Sequence, residues 1–211
     1  MSFNLPTVYP ITDTSVAGLS HTEQVKRLLE GGATIIQLRE KQIEARSFFE
    51  DAVAALRLTR AAGAKLIIND RVDIALAAQA DGVHLGQTDM PVEAARRLLG
   101  ANSIIGFSTH TLEQARVALN LTIDYLAFGP IYPTATKQNP DAVTGLSDLV
   151  RVKSLAGKLL VVAIGGINFE NVREVMAAGA DSVAVISAVL SNPSRMPQNL
   201  RNLSRIAENR R

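Results

Sequence analysis

Eight short apolar runs recur along the chain, separated by longer stretches of helical period, and this alternation limits the fold more than any other feature. The runs are "TVYPIT", "TIIQLR", "KLIIN", "GVHLG", "SIIGFS", "YLAFG", "LLVVAIGG" and "SVAVIS". They are apolar at nearly every position, so each is expected to be buried on both faces, as strands of a helix-covered parallel sheet are. Segments such as "HTEQVKRLLEGG", "EARSFFEDAVAALRLTRAAG", "PVEAARRLLG", "TLEQARVALN" and "NFENVREVMAAG" read as the covering helices. Several close on a glycine suited to a left-handed C-cap. Parallel neighbours need crossover connections, which are right-handed. Eight such units close as one α/β domain, a (β/α)8 or TIM barrel over residues 1–211. An open doubly wound sheet is the alternative, but its usual G-x-G-x-x-G turn is missing after "TVYPIT". A partial repeat supports the division, with Asp81, Asp124 and Asp181 each just before an even-numbered run.

Composition narrows the function. The chain is 47% hydrophobic and 20% charged, enough for a sizeable core built from Ala, Val, Ile and Leu. Lys+Arg at 22 nearly balance Asp+Glu at 20, and no basic run points to nucleic acid. The tail "RNLSRIAENRR" reads as a solvated last helix. Cysteine is absent, which fits a reducing compartment and excludes thiolate metal sites. The start "MSFNLPTVYP" lacks the features of a secretory signal, and no apolar segment approaches the ~20 residues that span a bilayer. A cytoplasmic protein that binds neither membrane nor nucleic acid is expected; nothing in the sequence sets its oligomeric state.

In a barrel of this kind the chemistry sits at the C-terminal strand ends. Strand two ends with Gln37, Arg39 and Lys41 on one side of the chain, suited to an anionic ligand, or Arg39 and Lys41 simply pair with Glu40 or Glu44. Asp70 ends strand three and Asp89 follows strand four. Both have helix-start readings, Asp70 as an N-cap with Asp73 three residues on, and Thr88 or Asp89 beside Pro91. Two carboxylates on neighbouring loops also suit Mg²⁺, which takes one or two carboxylates, several waters and substrate phosphates. Thr111 and Gln114 form a capping box, which leaves Ser108 available to a ligand. Gly165 and Gly166 read as an anion-binding turn, or as a tight turn alone. The long irregular stretch "FGPIYPTATKQNPDAVTG" brings Thr134, Thr136 and Lys137 to the mouth. Among the histidines, His84 reads as a satisfied core residue, His21 as a surface residue at a helix start, and His110 as a candidate base that also sits at a helix start.

The ordered set "QLREK", "IINDRVDIA", "DGVHLGQTDMP", "IGFSTHTLEQA", "GPIYPTATK" and "VVAIGGI" resembles the thiamine-phosphate synthase (thiamine-phosphate pyrophosphorylase) family over essentially the whole chain. The resemblance implies an enzyme that joins hydroxymethylpyrimidine diphosphate to a thiazole phosphate, giving thiamine phosphate and diphosphate. It implies that Gln37, Arg39, Lys41, Asn69, Ser108 and Lys137 hold the pyrimidine diphosphate, with Arg39, Lys41, Lys137 and Ser108 serving catalysis. It assigns Mg²⁺ to Asp70 and Asp89, and the thiazole phosphate to Thr134, Thr136, Gly166, Ile186 and Ser187. Small departures are Thr88, just before Asp89 in "QTDMP", where many members carry Glu, and Tyr132, where Phe is frequent. The rivals are a thiazole tautomerase-like barrel and a non-catalytic thiazole-phosphate-binding protein. Arg39, Lys41, both carboxylates and Lys137 favour the synthase.

Overall fold

Side chains alternate across a strand, so each strand of a closed barrel must serve two environments. A computed structural model of the chain describes residues 4–41, 44–134, 136 and 141–209. The strands are β1 (Val8–Thr12), β2 (Ile35–Leu38), β3 (Lys65–Asn69), β4 (Gly82–Leu85), β5 (Ile104–Thr109), β6 (Tyr125–Phe128), β7 (Leu160–Ile164) and β8 (Ser182–Val185). They pair in parallel in sequence order, and β8 returns to β1 through the register Val8 to Val183. Each apolar run read from the sequence holds one strand, β5 running one residue past its run to Thr109.

Inward residues Tyr9, Ile11, Ile35, Ile67, Ile104, Tyr125, Ala127, Val162 and Ala184 form the barrel interior. Their outward neighbours, among them Ile36, Leu38, Leu66, Ile68, Leu126 and Val183, join the helices in a larger outer core. This two-sided burial is why the runs are continuously apolar. The helices are α1 (Thr14–Ala17), α2 (His21–Glu30), α3 (Ala45–Ala61), α4 (Val72–Ala78), α5 (Val92–Leu99), α6 (Leu112–Ala118), α7 (Gly145–Ala156), α8 (Val172–Ala177), α9 (Ser187–Leu190) and α10 (Met196–Glu208), with a 3-10 turn at Pro193–Arg195.

The aspartate repeat has a structural cause. The Asp81, Asp124 and Asp181 carboxylates accept the backbone N–H of Leu66, Ile105 and Val161 at 2.8–2.9 Å. Each also meets a cation, Lys65, Arg96 and Lys153 respectively. Each carboxylate thus ties an even strand to the start of the odd strand before it, at the end of the barrel away from the strand C-termini.

Two readings change. His21 does begin α2, but it is fully buried, with Nδ1 2.8 Å from the Thr12 hydroxyl and its ring against Phe48. Helix phase turns its first residue toward β1 rather than toward water. The C-terminal helix exists, yet it is more than a solvated tail: Met196, Leu200, Leu203 and Ala207 are buried on one stripe, and the helix packs against α2, α8 and α9.

A single glycine tests the barrel. A Cβ on Gly82 would stand 2.0 Å from the Ile104 carbonyl oxygen of β5, and backbone offers no rotamer through which to escape. Gly82→Ala is expected to lower stability by roughly 3 kcal/mol, read as a drop in the urea midpoint; an unchanged midpoint would show that β4 and β5 can separate without cost.

Candidate active site

Because every strand runs the same way, all eight C-terminal ends meet at one rim, and there a cavity of about 460 Å³ opens. Gln37, Arg39, Lys41, Asn69, Asp70, Asp89, Ser108, Thr134, Thr136, Gly166, Ile186 and Ser187 all line it. Lys137 lies outside the described residues.

The cationic side is organised by β1 and β2. Arg39 Nη1 donates to Asp13 Oδ2 at 2.8 Å, so its partner is neither Glu40 nor Glu44. Asp13 also caps α1, its Oδ1 accepting from the N–H of Ser15 and Val16. Glu40 is engaged elsewhere, 2.8 Å from the Thr14 hydroxyl and 3.4 Å from His21 Nε2. Lys41 Nζ reaches across to Asp70 Oδ2. The surface-pairing alternative for the two cations therefore fails.

The helix-start readings of the aspartates fail as well. Asp70 adopts left-handed backbone, φ 62°, a conformation that Asp tolerates better than most residues. Its N–H donates to the His84 carbonyl at 2.8 Å, and α4 carries no side-chain cap. Asp73 is instead paired with Arg71. Asp89 accepts the Gly86 N–H at 2.6 Å, bracing its own loop, while α5 likewise lacks a side-chain cap. Burial pushes the Asp89 carboxyl up, the Gly86 N–H opposes this, and the adjoining Asp70 carboxyl pushes it further up. A carboxyl group whose ionisation is made costlier by burial and by a neighbouring carboxyl is one that a bound cation relieves. Among the described residues no cluster of three or more metal-ligating side chains occurs, and Mg²⁺ needs no more than this pair.

Opposite, the loop after β6 is stapled to β7. Ile131 N–H donates to the Ile164 carbonyl and Tyr132 N–H to that of Gly165, at 2.9 and 3.0 Å. Gly165 and Gly166 have φ of 100° and 65°, and a Cβ there would stand 2.4 Å from Pro130 and 2.5 Å from the Pro133 carbonyl. Positive φ and close approach both require glycine here. The loop base is shut by Thr144, whose N–H and hydroxyl both donate to the Pro130 carbonyl. A second, adjoining cavity shares Thr134, Thr136, Gly166 and Ser187 with the first, so one rim holds two neighbouring compartments.

The chain matches the family model of thiamine monophosphate synthase over residues 8–189. The chain belongs to that family. It is 47% identical over 185 residues to the thiamine-phosphate synthase of Chloroflexus aurantiacus, covering 87% of this chain and 85% of that one. To the thiamine-phosphate synthase of Clostridium novyi it is 45% identical over 188 residues, 88% of this chain and 91% of that one. Among solved structures, thiamine phosphate pyrophosphorylase from Pyrococcus furiosus superposes with a TM-score of 0.86 at 41% identity, over 96% of this chain and 95% of that one.

Within this member of the thiamine monophosphate synthase family, sequence reasoning passed over several cavity residues. Asp13, which holds Arg39, could have been found as the only acid closing "TVYPIT". Tyr9 and Tyr125 line the floor, two buried phenols whose inward phase follows from alternation with Ile11 and Ala127. His84 is buried and satisfied, as expected, but it also lines the cavity. His110 opens toward the cavity, with Nδ1 2.6 Å from the Gly129 carbonyl and Nε2 3.6 Å from Asp141. Ser108 is indeed not a cap; Thr111 caps α6, and the Gln114 carbonyl oxygen reaches back to the His110 N–H. No helix is long and apolar enough to cross a membrane, among the described residues.

Burial lowers the His84 imidazole from its ordinary 6.5 to about 4. Between those values the unfolded chain carries a proton that the folded chain refuses, so stability falls as pH drops from about 6.5 to about 4. The loss assignable to His84 is expected to be on the order of 3 kcal/mol. Urea midpoints of wild type and His84→Gln, compared across this range, should converge as pH falls; parallel curves would refute a neutral buried imidazole.

Proposed function

We propose that the chain joins hydroxymethylpyrimidine diphosphate to a thiazole phosphate, releasing diphosphate, as the names of its relatives and its family membership support. One arrangement carries the reading: Arg39, Lys41, Asp70 and Asp89 share a cavity with the polar floor residues Gln37, Asn69 and Ser108. Cations and carboxylates converging on one rim suit a substrate whose leaving group is strongly anionic. Asp70 and Asp89 would hold Mg²⁺, which when bound neutralises the oxygens of the departing diphosphate.

The chain's own residues do the rest. Arg39, Lys41 and Lys137 supply positive charge to the diphosphate, Arg39 oriented in advance by Asp13. Lys41 rests on Asp70 and can turn from that carboxylate to phosphate oxygen when the rim gains its cation and substrate. Gln37, Asn69 and Ser108 orient the aminopyrimidine, whose electron-rich ring steadies the positive charge left when diphosphate departs. Thr134, Thr136, Gly166 and Ser187, shared by the two compartments, and Ile186 of the first hold the thiazole phosphate, so that its ring nitrogen faces the methylene it captures. No strong acid or base is required.

Mixing both substrates with Mg²⁺ and measuring diphosphate tests the reading. Wild type should release diphosphate only when both substrates and Mg²⁺ are present. Asp89→Ala and Lys137→Ala should each slow release by roughly a hundredfold with an unchanged circular dichroism spectrum. An Asp89→Ala protein with the parental rate would remove the metal assignment, and thiazole phosphate binding without diphosphate release would favour a non-catalytic binder.

A further inference from the structure

Beneath the charged rim, five side chains from five different strands form one hydrogen-bonded chain across the barrel. Gln37 Nε2 donates to the Tyr9 hydroxyl at 3.1 Å. The Tyr9 and Tyr125 hydroxyls lie 3.1 Å apart, and Tyr125 lies 2.9 Å from His84 Nδ1. His84 Nε2 in turn lies 2.8 Å from the Ser108 hydroxyl. Tyr9, Gln37, His84 and Tyr125 are each at most 7% exposed, while both ends, Gln37 and Ser108, line the cavity. The sequence keeps room for the middle of the chain: a Cβ on Gly106 would stand 2.3 Å from the Tyr125 hydroxyl and 2.5 Å from His84 Nδ1.

A phenol oxygen can accept twice, but each phenol owns one hydrogen and a neutral imidazole owns one, so only the two head-to-tail orientations pair every link and leave no buried phenol hydrogen unspent. Both phenols and the imidazole are buried, and their side-chain partners in the chain are neutral hydroxyl and amide groups, so each phenol keeps its hydrogen and the imidazole carries one. Since Gln37 donates to Tyr9, the Tyr9 hydrogen goes to Tyr125, and that of Tyr125 to His84 Nδ1. His84 must then carry its hydrogen on Nε2 and give it to Ser108. In that orientation Ser108 has its own O–H to donate, and the Gln37 amide, one of whose two N–H hydrogens goes to Tyr9, has its carbonyl oxygen to accept.

We infer that Tyr9, Tyr125 and His84 are positioning residues that couple the two ends, fixing an acceptor at Gln37 and a donor at Ser108. The pair is complementary to an aminopyrimidine, which offers an amine donor and a ring-nitrogen acceptor. An oxo-pyrimidine of the same size presents the opposite polarity at the amine position and would have to reverse the whole chain or leave a buried group unpaired. Specificity for the amine thus resides partly in three residues that need not bond to the substrate. The identity of the ligand rests on the function proposed above; the direction of the chain does not.

Two measurements test this. Nitrogen-15 NMR of histidine-labelled protein, which has three histidines to resolve, reads the His84 tautomer once His84→Gln has assigned its signals. The ligand-free protein should show Nε2 protonated and Nδ1 bare at neutral pH; the reverse tautomer or an imidazolium would overturn the inference, whatever the substrate. Calorimetric titration with the amino and oxo forms of hydroxymethylpyrimidine then compares wild type, Tyr9→Phe, Tyr125→Phe and the double variant. Each single variant should lose about tenfold in discrimination, and the double variant no more than either, because both cut the same chain. Additive losses, or retained discrimination, would reduce the chain to a structural role. If diphosphate release fails while the tautomer stands, the fault lies with the functional reading and not with the chain.

Discussion

The fact on which the rest depends is that a parallel strand cannot be joined to its neighbour by a tight turn. Every connection must travel back along the outside, and a helix is the economical way to satisfy its backbone while covering the sheet. Repeated around a closed ring, this delivers every strand C-terminus to one rim and every return segment to the other. The aspartates Asp81, Asp124 and Asp181 tie strands together at the return end, where no ligand is handled. Stability and chemistry are thereby separated by the length of the barrel.

Within the functional half, charge is layered. The floor is a neutral chain of phenols, amide and imidazole, each group buried and hydrogen-bonded. Above it stand Arg39, Lys41, Asp70 and Asp89, more accessible and able to exchange partners. A deep charge would cost several kcal/mol to desolvate, whereas a neutral hydrogen-bonded chain can be buried and directional at once. The division suits a ligand with an uncharged ring below and a polyanionic tail above.

Much of this was legible from the residue order. The barrel followed from eight continuous apolar runs, and the rim from knowing which strand ends to inspect. Gln37, Asn69, Asp70, Asp89, Ser108, Thr134, Thr136, Gly166, Ile186 and Ser187 do line the cavity. The local alternatives were equally consistent with sequence: Asp70 before a helix reads as a cap until its left-handed backbone and its contact with Lys41 are seen. His21 misled for a related reason, since a polar helix start is ordinarily wet and only the packing of α2 on β1 places this one inside.

The sequence by itself determined periodicity, and with it strand count, strand direction and which residues point inward, because these are properties of a chain and its nearest neighbours along it. Only the tertiary structure decided partnership. That Asp13 holds Arg39, that Lys41 meets Asp70, and that Gln37 is linked to Ser108 through Tyr9, Tyr125 and His84 are contacts between residues tens of positions apart. Hydrogen bonds act over about 3 Å, so no spacing along the chain encodes them; closing the barrel brings the two ends of each bond within reach.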